Sequence, residues 1–109
     1  MRDNLSSGAL TETSLLVLLS LYNELHGYGI KKFIENNTNG RVVLGMGTLY
    51  GAINNLEKKG WIEKRSKDGN RINYIITDLG IEQVNNEKVR LKSLLNLIDK
   101  LDEGDYEKD

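Results

Sequence analysis

The side chains best suited to binding another molecule lie in residues 46–59. Apolar residues Leu49, Ile53 and Leu56 recur there at i, i+4 and i+7, which places all three on one face of a helix. The opposite face carries small, amide, phenolic and cationic groups, namely Thr48, Tyr50, Gly51, Asn54, Asn55 and Lys58. Amides can bond base edges, whereas hydroxyl and ammonium groups bind phosphates. The segment is therefore predicted to be an amphipathic helix that enters the major groove of DNA.

The polar residues of this helix are predicted to divide between reading bases and holding the DNA backbone. Asn54 and Asn55 can each bond N6 and N7 of adenine, so they are the candidates for base readout. Thr48 and Tyr50 lie near the helix N-terminus, where backbone N–H groups also attract phosphate. Lys58, farther along the helix, is expected to touch the backbone. Taken alone, the same pattern also fits an ordinary solvated surface helix.

A second set of basic residues is predicted to lie in a β-hairpin. Residues 61–66 and 71–77 have the composition of strands, and residues 67–70 between them form a turn with Asp68 and Gly69 at its tip. A strand, a tight basic turn and a second strand have the form of a wing. The wing residues expected to contact phosphates or the minor groove are Lys67, Asn70 and Arg71. The alternative is a plain hairpin whose charges only keep it hydrated.

The overall charge of −1 hides an asymmetry along the chain. Residues 1–77 carry 10 Lys and Arg against 7 Asp and Glu, whereas residues 78–109 carry 5 against 9. Because phosphate neutralisation is local, the balance of +3 in the first segment matters more than the whole-chain value. Lys31 or Lys32 is predicted to reach a phosphate, since the first helix of a helix-turn-helix crosses the backbone. A solvated pair is the equal alternative.

Three further elements are predicted to position the groove helix. Residues 10–25 are apolar nearly all round, which indicates a helix at the centre of the core with Thr11 as its N-cap. Residues 28–37 have the pattern of a second, shorter helix. Residues 41–44 are a β-branched run that is predicted to be a short strand. Gly45 is the predicted N-cap of the groove helix.

A last helix is predicted from residue 78 to residue 101, with Thr77 as its cap. Its apolar residues recur at seven-residue spacing and form a heptad-like seam of about two repeats, namely Val84, Leu91, Leu94, Ile98 and Leu101. Because the compact domain is complete before this helix begins, the seam is predicted to pack against a second copy of the chain. Residues 104–109 are acidic and are expected to form a flexible tail.

Composition excludes several classes of function. The chain has no cysteine, which rules out disulfides and thiolate chemistry. His26 is the one histidine, and neither a nucleophile motif nor further metal ligands accompany it. Acid–base catalysis by a pair of carboxylates stays an open alternative, because a sequence does not show which carboxylates lie close together in the fold. No run approaches the roughly 20 apolar residues of a membrane span. We expect a cytoplasmic protein that is not an enzyme, needs no metal or cofactor and has no membrane partner.

The order of these predicted elements is that of a winged helix-turn-helix, an α+β fold that is mostly α, followed by a C-terminal dimerisation helix. Within it, four segments together resemble the PadR family of bacterial transcriptional regulators. They are residues 26–30 (HGYGI), 47–50 (GTLY), 56–62 (LEKKGWI) and 70–80 (NRINYIITDLG). The single helix after the wing is similar to the small PadR subfamily, which includes multidrug-sensing repressors. We expect a DNA-binding domain over residues 1–77 and a dimerisation helix over residues 78–103.

The resemblance implies a homodimer that represses transcription from a pseudo-palindromic operator in double-stranded DNA until a small aromatic or phenolic effector binds. Drug-sensing members stack flat ligands on a tryptophan of the last helix. The last helix of this chain has no aromatic residue, and the matching position is near Leu91, so the sequence does not predict such a pore. The alternative function is a winged-helix adaptor that binds protein without contacting DNA. An adaptor is expected to show apolar anchors on the outward face of the groove helix.

Overall fold

A computed structural model describes residues 8–104 of the chain. In chain order the elements are α1 (Glu12–Ser20), β1 (Leu25–His26), α2 (Gly27–Asn37), α3 (Met46–Lys58), β2 (Ile62–Asp68), β3 (Arg71–Ile76) and α4 (Asp78–Asp102). The predicted fold class, an α+β winged helix-turn-helix with a long last helix, is confirmed. The predicted acidic tail lies outside the described residues, apart from Gly104.

The first helix is shorter than its apolar pattern predicts. Thr11 caps it as expected, since its side chain accepts a hydrogen bond from the Ser14 N–H at 3.0 Å. The helix ends at Ser20 rather than near Leu25, because the following backbone is bound by β3: the Ile76 N–H donates to the Leu21 carbonyl at 2.8 Å. The helical periodicity of a segment cannot reveal that a strand about 50 residues away in sequence binds its backbone.

The sheet has three antiparallel strands in the order β1-β3-β2. The pairing of Asp68 with Arg71 makes Gly69 and Asn70 the two-residue tip of the hairpin. The predicted tip, Asp68 and Gly69, was therefore one residue too early. Gly69 has φ = +62°, a left-handed conformation that glycine adopts without steric cost at such a position. The short β1 pairs Leu25 with Tyr74, a strand that the sequence pattern did not predict.

The predicted strand over residues 41–44 was wrong, since this segment has no regular secondary structure. It is a loop held by side chains rather than by a neighbouring strand. Thr38 Oγ1 accepts from the Val42 N–H at 3.1 Å, and Lys31 Nζ donates to the Leu44 carbonyl at 3.0 Å. The β-branched run has no strand partner there, so its composition alone did not determine its structure.

A single core joins the helices to the sheet. Its fully buried side chains include Val17, Leu18, Leu21, Ile30, Ile34, Leu49, Ile53, Leu56 and Ile62. The predicted inner stripe of α3 is thus confirmed, because Leu49, Ile53 and Leu56 are each 0% exposed. Burying this stripe fixes the rotation of α3 about its own axis, which turns the opposite, polar face to solvent.

The last helix is anchored in its first half and exposed in its second. Ile81 and Val84 pack against the core, and Glu87 is buried. From Leu91 to the end of the described chain, every residue is exposed. The first half of α4 therefore belongs to the same core as the winged domain, whereas the second half makes no part of that core.

Candidate nucleic-acid interface

The outward face of α3 carries exposed polar side chains that form no hydrogen bond or ion pair within the described part of the chain. All of the predicted contact residues on it are exposed: Thr48, Tyr50, Gly51, Asn54, Asn55 and Lys58. Within residues 8–104, no protein group forms a hydrogen bond with the side-chain amides of Asn54 and Asn55, and no carboxylate forms an ion pair with Lys58. Two adjacent, unpaired amides on an exposed helix have the donor and acceptor groups that base-edge readout requires.

Among residues 8–104, no side chain caps the N-terminus of α3. Gly45 is the N-cap, as predicted, and it supplies no side-chain hydrogen bond. The first turn contains no acidic residue. Its free N–H groups and the positive end of the helix dipole therefore face solvent, an arrangement that favours an anion such as a backbone phosphate.

A cavity of about 250 Å³ connects the beginning of α3 with the beginning of α2 and with the wing. Its lining residues are His26, Tyr28, Met46, Tyr50, Asn70, Arg71, Ile72 and Tyr74. Three of the chain's five tyrosines are among them. No aspartate or glutamate lines the cavity, and within the described chain Arg71 forms no ion pair. The cavity thus presents several hydrogen-bond donors and one unpaired positive charge to an incoming acceptor.

Two structural details hold the phenol groups of this cavity in place. A Cβ atom on the buried Gly27 would collide with the hydroxyl of Tyr50, so glycine at the start of α2 is what lets this ring lie there. Tyr74 is 4% exposed, and burial raises its pKa, with smaller contributions from Glu57 and Tyr50. Tyr74 therefore stays a neutral phenol at any ordinary pH and can donate a hydrogen bond.

The basic residues of the wing fall into two groups. Lys64 Nζ lies 3.7 Å from Glu57 Oε2, and Arg65 Nη1 lies 3.8 Å from Glu63 Oε2. Lys67, Asn70 and Arg71 are exposed around the hairpin tip, and the two cations among them have no carboxylate partner in the described part of the chain. Within the described residues, Lys67 and Arg71 are therefore the wing cations that no carboxylate neutralises, and their contact with another molecule stays a prediction.

The two lysines of α2 differ in their surroundings. Lys31 Nζ lies 3.0 Å from the Leu44 carbonyl oxygen and is paired with Glu35, and its side chain is only 21% exposed. The hydrogen bond from Lys31 is the main reason that the pKa of Glu35 is lowered. Lys32 is 49% exposed and lies 5.9 Å from the ring centre of Tyr28. Of this pair, Lys32 has the more accessible amine, whereas the predicted contact Lys31 links α2 to the loop before α3.

His26, Tyr28 and Met46 line the cavity but were not predicted as contact residues. His26 was assigned a structural role beside a glycine turn, and its backbone does pair with Asn73 of β3. The available signal was the cluster of aromatic and glycine residues at 26–29, since glycines beside aromatic residues indicate close approach of another group. Only the fold shows that this cluster faces the hairpin tip.

A separate apolar surface lies between α1 and α4. It forms a groove of about 340 Å³ lined by Leu15, Leu19, Val84, Glu87, Lys88, Leu91, Lys92 and Leu95. The predicted seam residues Leu91, Leu94, Ile98 and Leu101 are 42–55% exposed. Val84 differs from them, because it is half-buried against the core of its own chain. Exposed apolar residues in such a continuous row are typical of a protein interface.

Two other kinds of site have no counterpart in the part of the chain that the structure describes. Residues 8–104 contain no group of three or more histidine, aspartate or glutamate side chains that could hold a metal ion. No helix among these residues is long and apolar enough to cross a membrane.

Comparisons with known proteins agree with this architecture. Residues 15–86 match the model of the transcriptional regulator PadR-like family. An uncharacterised protein from Lysinibacillus sphaericus is 33% identical over 91 residues, which cover 77% of this chain and 84% of that protein. A transcriptional regulator from Clostridium thermocellum has a similar structure, with a TM-score of 0.70, 27% identity and coverage of 82% of this chain and 90% of its own.

A PadR family regulator from Clostridium difficile R20291 shares the fold, with a TM-score of 0.71 and 20% identity over 84% of this chain and 98% of its own. A PadR family regulator from Eggerthella lenta has a TM-score of 0.68 and 24% identity over 81% of this chain and 79% of its own. Each of these structural matches is longer than the winged domain, so it also includes part of the last helix.

Proposed function

Because the chain belongs to the PadR-like family of transcriptional regulators, we propose that it acts as a homodimer that binds a pseudo-palindromic operator and represses transcription. The family assignment makes it a transcriptional regulator rather than an enzyme. Beyond the family assignment, we propose which residues contact DNA, that two copies form a dimer, and that binding represses transcription. We also propose that it acts in the cytoplasm, where a bacterial regulator meets its operator.

One observation carries the proposal: unpaired donors from α2, α3 and the wing surround the same side of the molecule. The cavity between these elements brings Tyr50 of α3 next to Asn70 and Arg71 of the wing. The amides of Asn54 and Asn55 lie on the exposed face of the same helix. Positive and donor groups without protein acceptors, grouped around an exposed helix, suit a duplex whose phosphates flank a readable groove.

The contacts divide by chemistry. We assign base readout to Asn54 and Asn55, because an amide can bond both N6 and N7 of adenine. Backbone positioning falls to groups that carry no sequence information, which are Thr48, Tyr50, Gly51, Lys58, Lys67, Asn70 and Arg71. Gly51 contributes by its size, since an exposed glycine lets a phosphate approach the helix backbone closely. Lys31 has a weaker claim than Lys32, because its side chain is less exposed and its amine is held by the Leu44 carbonyl, although both lysines also lie near Glu35.

The apolar half of α4 supplies the dimer contact. Leu91, Leu94, Ile98 and Leu101 are all exposed on one helix, and the groove against α1 adds Leu15 and Leu19. A second copy of the chain covers such a surface with the same residues from its own α4. If the two recognition helices of such a dimer bind adjacent major grooves, they should lie about 34–36 Å apart, one turn of B-DNA.

Relief of repression by a small aromatic or phenolic molecule is part of the proposal. The groove between α1 and α4 offers an apolar volume that such a molecule could enter, and it adjoins the surface assigned to the dimer. Stacking on an aromatic residue of α4 plays no part, because residues 78–102 contain none. Binding in this groove would act by changing how the two copies pack.

Selection of bound DNA from a random pool tests the function directly. We expect recovery of a two-fold symmetric sequence, with an affinity that falls steeply between ~50 mM and ~200 mM salt. Repeating the selection with candidate aromatic and phenolic acids tests the effector, which should lower recovery. A pool that stays unenriched, or an affinity that ignores salt, contradicts DNA binding and favours the adaptor function. Met46 and Tyr50, the exposed larger groups of α3, are then the first residues to test against protein partners.

A further inference from the structure

The end of the recognition helix α3 and the beginning of α4 are hydrogen-bonded to each other through two consecutive residues. α3 ends in a Schellman motif, in which the Gly60 N–H donates to the Glu57 carbonyl and the Trp61 N–H donates to the Leu56 carbonyl, both at 3.0 Å. The carbonyls of Gly60 and Trp61 then both accept from Thr77. Thr77 Oγ1 lies 2.7 Å from the Gly60 oxygen, and Thr77 N lies 3.0 Å from the Trp61 oxygen.

Thr77 is also the N-cap of α4, and its Oγ1 accepts from the Gly80 N–H at 3.1 Å. Gly80 is buried directly against this junction. A Cβ atom there would lie 2.7 Å from Ile76 Cγ1 and closer still to the carbonyl oxygen of Trp61. Because the nearest obstacle is backbone, a side chain at position 80 cannot be accommodated without moving α4 away from the end of α3.

The direction of α4 is set entirely by its anchored half. Ile81 and Val84 pack against the core, and the buried Glu87 accepts from the Leu10 N–H at 3.3 Å. Beyond Arg90, every described residue of α4 is exposed. The turns from Gly80 to Glu87 therefore fix the direction of the half of α4 that we assign to the dimer.

We propose that Gly80 is a positioning residue that sets the angle between the recognition helix and the dimerisation helix, and through it the operator half-site spacing. The inference rests on the proposed dimeric, DNA-binding function. Gly80 and Glu87 are about 10 Å apart along the helix axis. A Cβ requires a displacement on the order of 1 Å at Gly80, which turns α4 by roughly 5° about an anchor at Glu87.

This small rotation matters because recognition helices that bind adjacent major grooves each lie about 17 Å from the two-fold axis. On a lever of that order, a turn of roughly 5° displaces each recognition helix by about 1.5 Å, and the separation changes by up to about 3 Å where the displacements lie along the line that joins the two helices. One base pair of B-DNA has a rise of about 3.4 Å. A displacement of this size is comparable with the rise of one base pair, so the junction should influence which spacer length the dimer prefers.

The test uses the absence of native cysteine. Asn54→Cys places one spin label on each recognition helix, and pulsed electron paramagnetic resonance measures the separation between the two labels of a dimer without DNA. We expect Gly80→Ala to shift the mean separation by up to about 3 Å. With unlabelled protein, selection from palindromes that differ only in spacer length should move the preferred spacer by one base pair and keep the half-site sequence. A folded Gly80→Ala dimer with an unchanged separation and spacer overturns the proposal.

A milder pair of variants covers the case in which Gly80→Ala does not fold. Thr77→Val keeps the shape of the side chain but removes both hydrogen bonds of Oγ1, whereas Thr77→Ser retains them. We expect Thr77→Val to broaden the distance distribution and the range of accepted spacers, and Thr77→Ser to match the wild type. Identical distributions for the two variants overturn the proposal. If the wild type selects no palindrome yet the label separation still shifts, the proposed function fails and the positioning role of the junction stands.

Discussion

The backbone N–H of Leu10 donates to the carboxylate of Glu87 at 3.3 Å, which joins the segment before α1 to the third turn of α4. Glu87 is 3% exposed, and Arg90 also donates to its carboxylate, with Nε 2.9 Å from Oε1. The hydrogen bond from Arg90 lowers the pKa of Glu87, with burial opposing it and the Leu10 N–H assisting. The buried carboxylate is therefore ionised in the folded protein, and it ties the segment before α1 to α4.

Acid should lower the free energy of unfolding by protonating Glu87, and a variant without this carboxylate should lack that effect. Because the pKa of Glu87 is lower in the folded state, its contribution to the free energy of unfolding is complete above its unfolded pKa and is lost as the pH falls through the folded pKa. Glu87→Gln should cost about 1–2 kcal/mol at pH 7 and should flatten the loss of stability below ~pH 5. Urea denaturation across pH measures both, with the exposed Glu82→Gln as the control. A Glu87→Gln curve parallel to the wild type would contradict the assignment.

The amide pair of α3 should control sequence choice. We expect the Asn54→Ala, Asn55→Ala double variant to lose about 1–3 kcal/mol of discrimination per base pair read, while its affinity for non-specific DNA changes little. The matched control is Lys67→Ala, which should weaken binding to all sequences and reduce the slope of log K against log salt by about 1. Competition binding with operator and scrambled duplexes measures both effects. If the double variant lost equal affinity for both duplexes, the two amides would contact the DNA backbone rather than the bases.

The phenol of Tyr50 should hold a phosphate only while Gly27 leaves room for it. Gly27→Ala places a Cβ against the Tyr50 hydroxyl, whose ring can turn away, so we expect a folded dimer with about fivefold weaker DNA binding. Tyr50→Phe should cause a similar loss with an unchanged salt slope, since no charge is removed. Arg71→Ala is the contrasting variant, because it removes a charge and should lower the slope. Wild-type affinity in both Gly27→Ala and Tyr50→Phe would exclude this contact.

The exposed half of α4 should control the oligomeric state. Leu91→Asp places a charge in the apolar groove and should yield monomers, because an unpaired carboxylate cannot be buried between two copies without a large cost. Val89→Asp is the matched control on the same helix, since Val89 is 69% exposed and lies outside the groove. Light scattering gives the mass of each variant. A Leu91→Asp protein that keeps a dimeric mass would place the dimer contact elsewhere.

The local order of the chain could be predicted from residue spacing. The apolar residues of α3 at i, i+4 and i+7 predicted both the helix and its buried face, and Thr11, Gly45 and Thr77 cap helices where they were expected to. These features depend on neighbours in sequence, so a pattern of a few residues contains them. The segments that resemble the PadR family likewise predicted the family to which the chain belongs.

Long-range partners decided the rest. The β-branched residues 41–44 form no strand because no neighbouring strand lies beside them, whereas Leu25 and His26 pair with β3, which reaches them from far along the chain. The same folding brings the His26 cluster to the hairpin tip and engages Lys31 with the Leu44 carbonyl. By itself, the sequence determined which helix carries the exposed polar face that we propose contacts DNA. Only the tertiary structure decided which donors surround that helix and how firmly its end is joined to α4, because hydrogen bonds between distant residues leave no periodic trace in the chain.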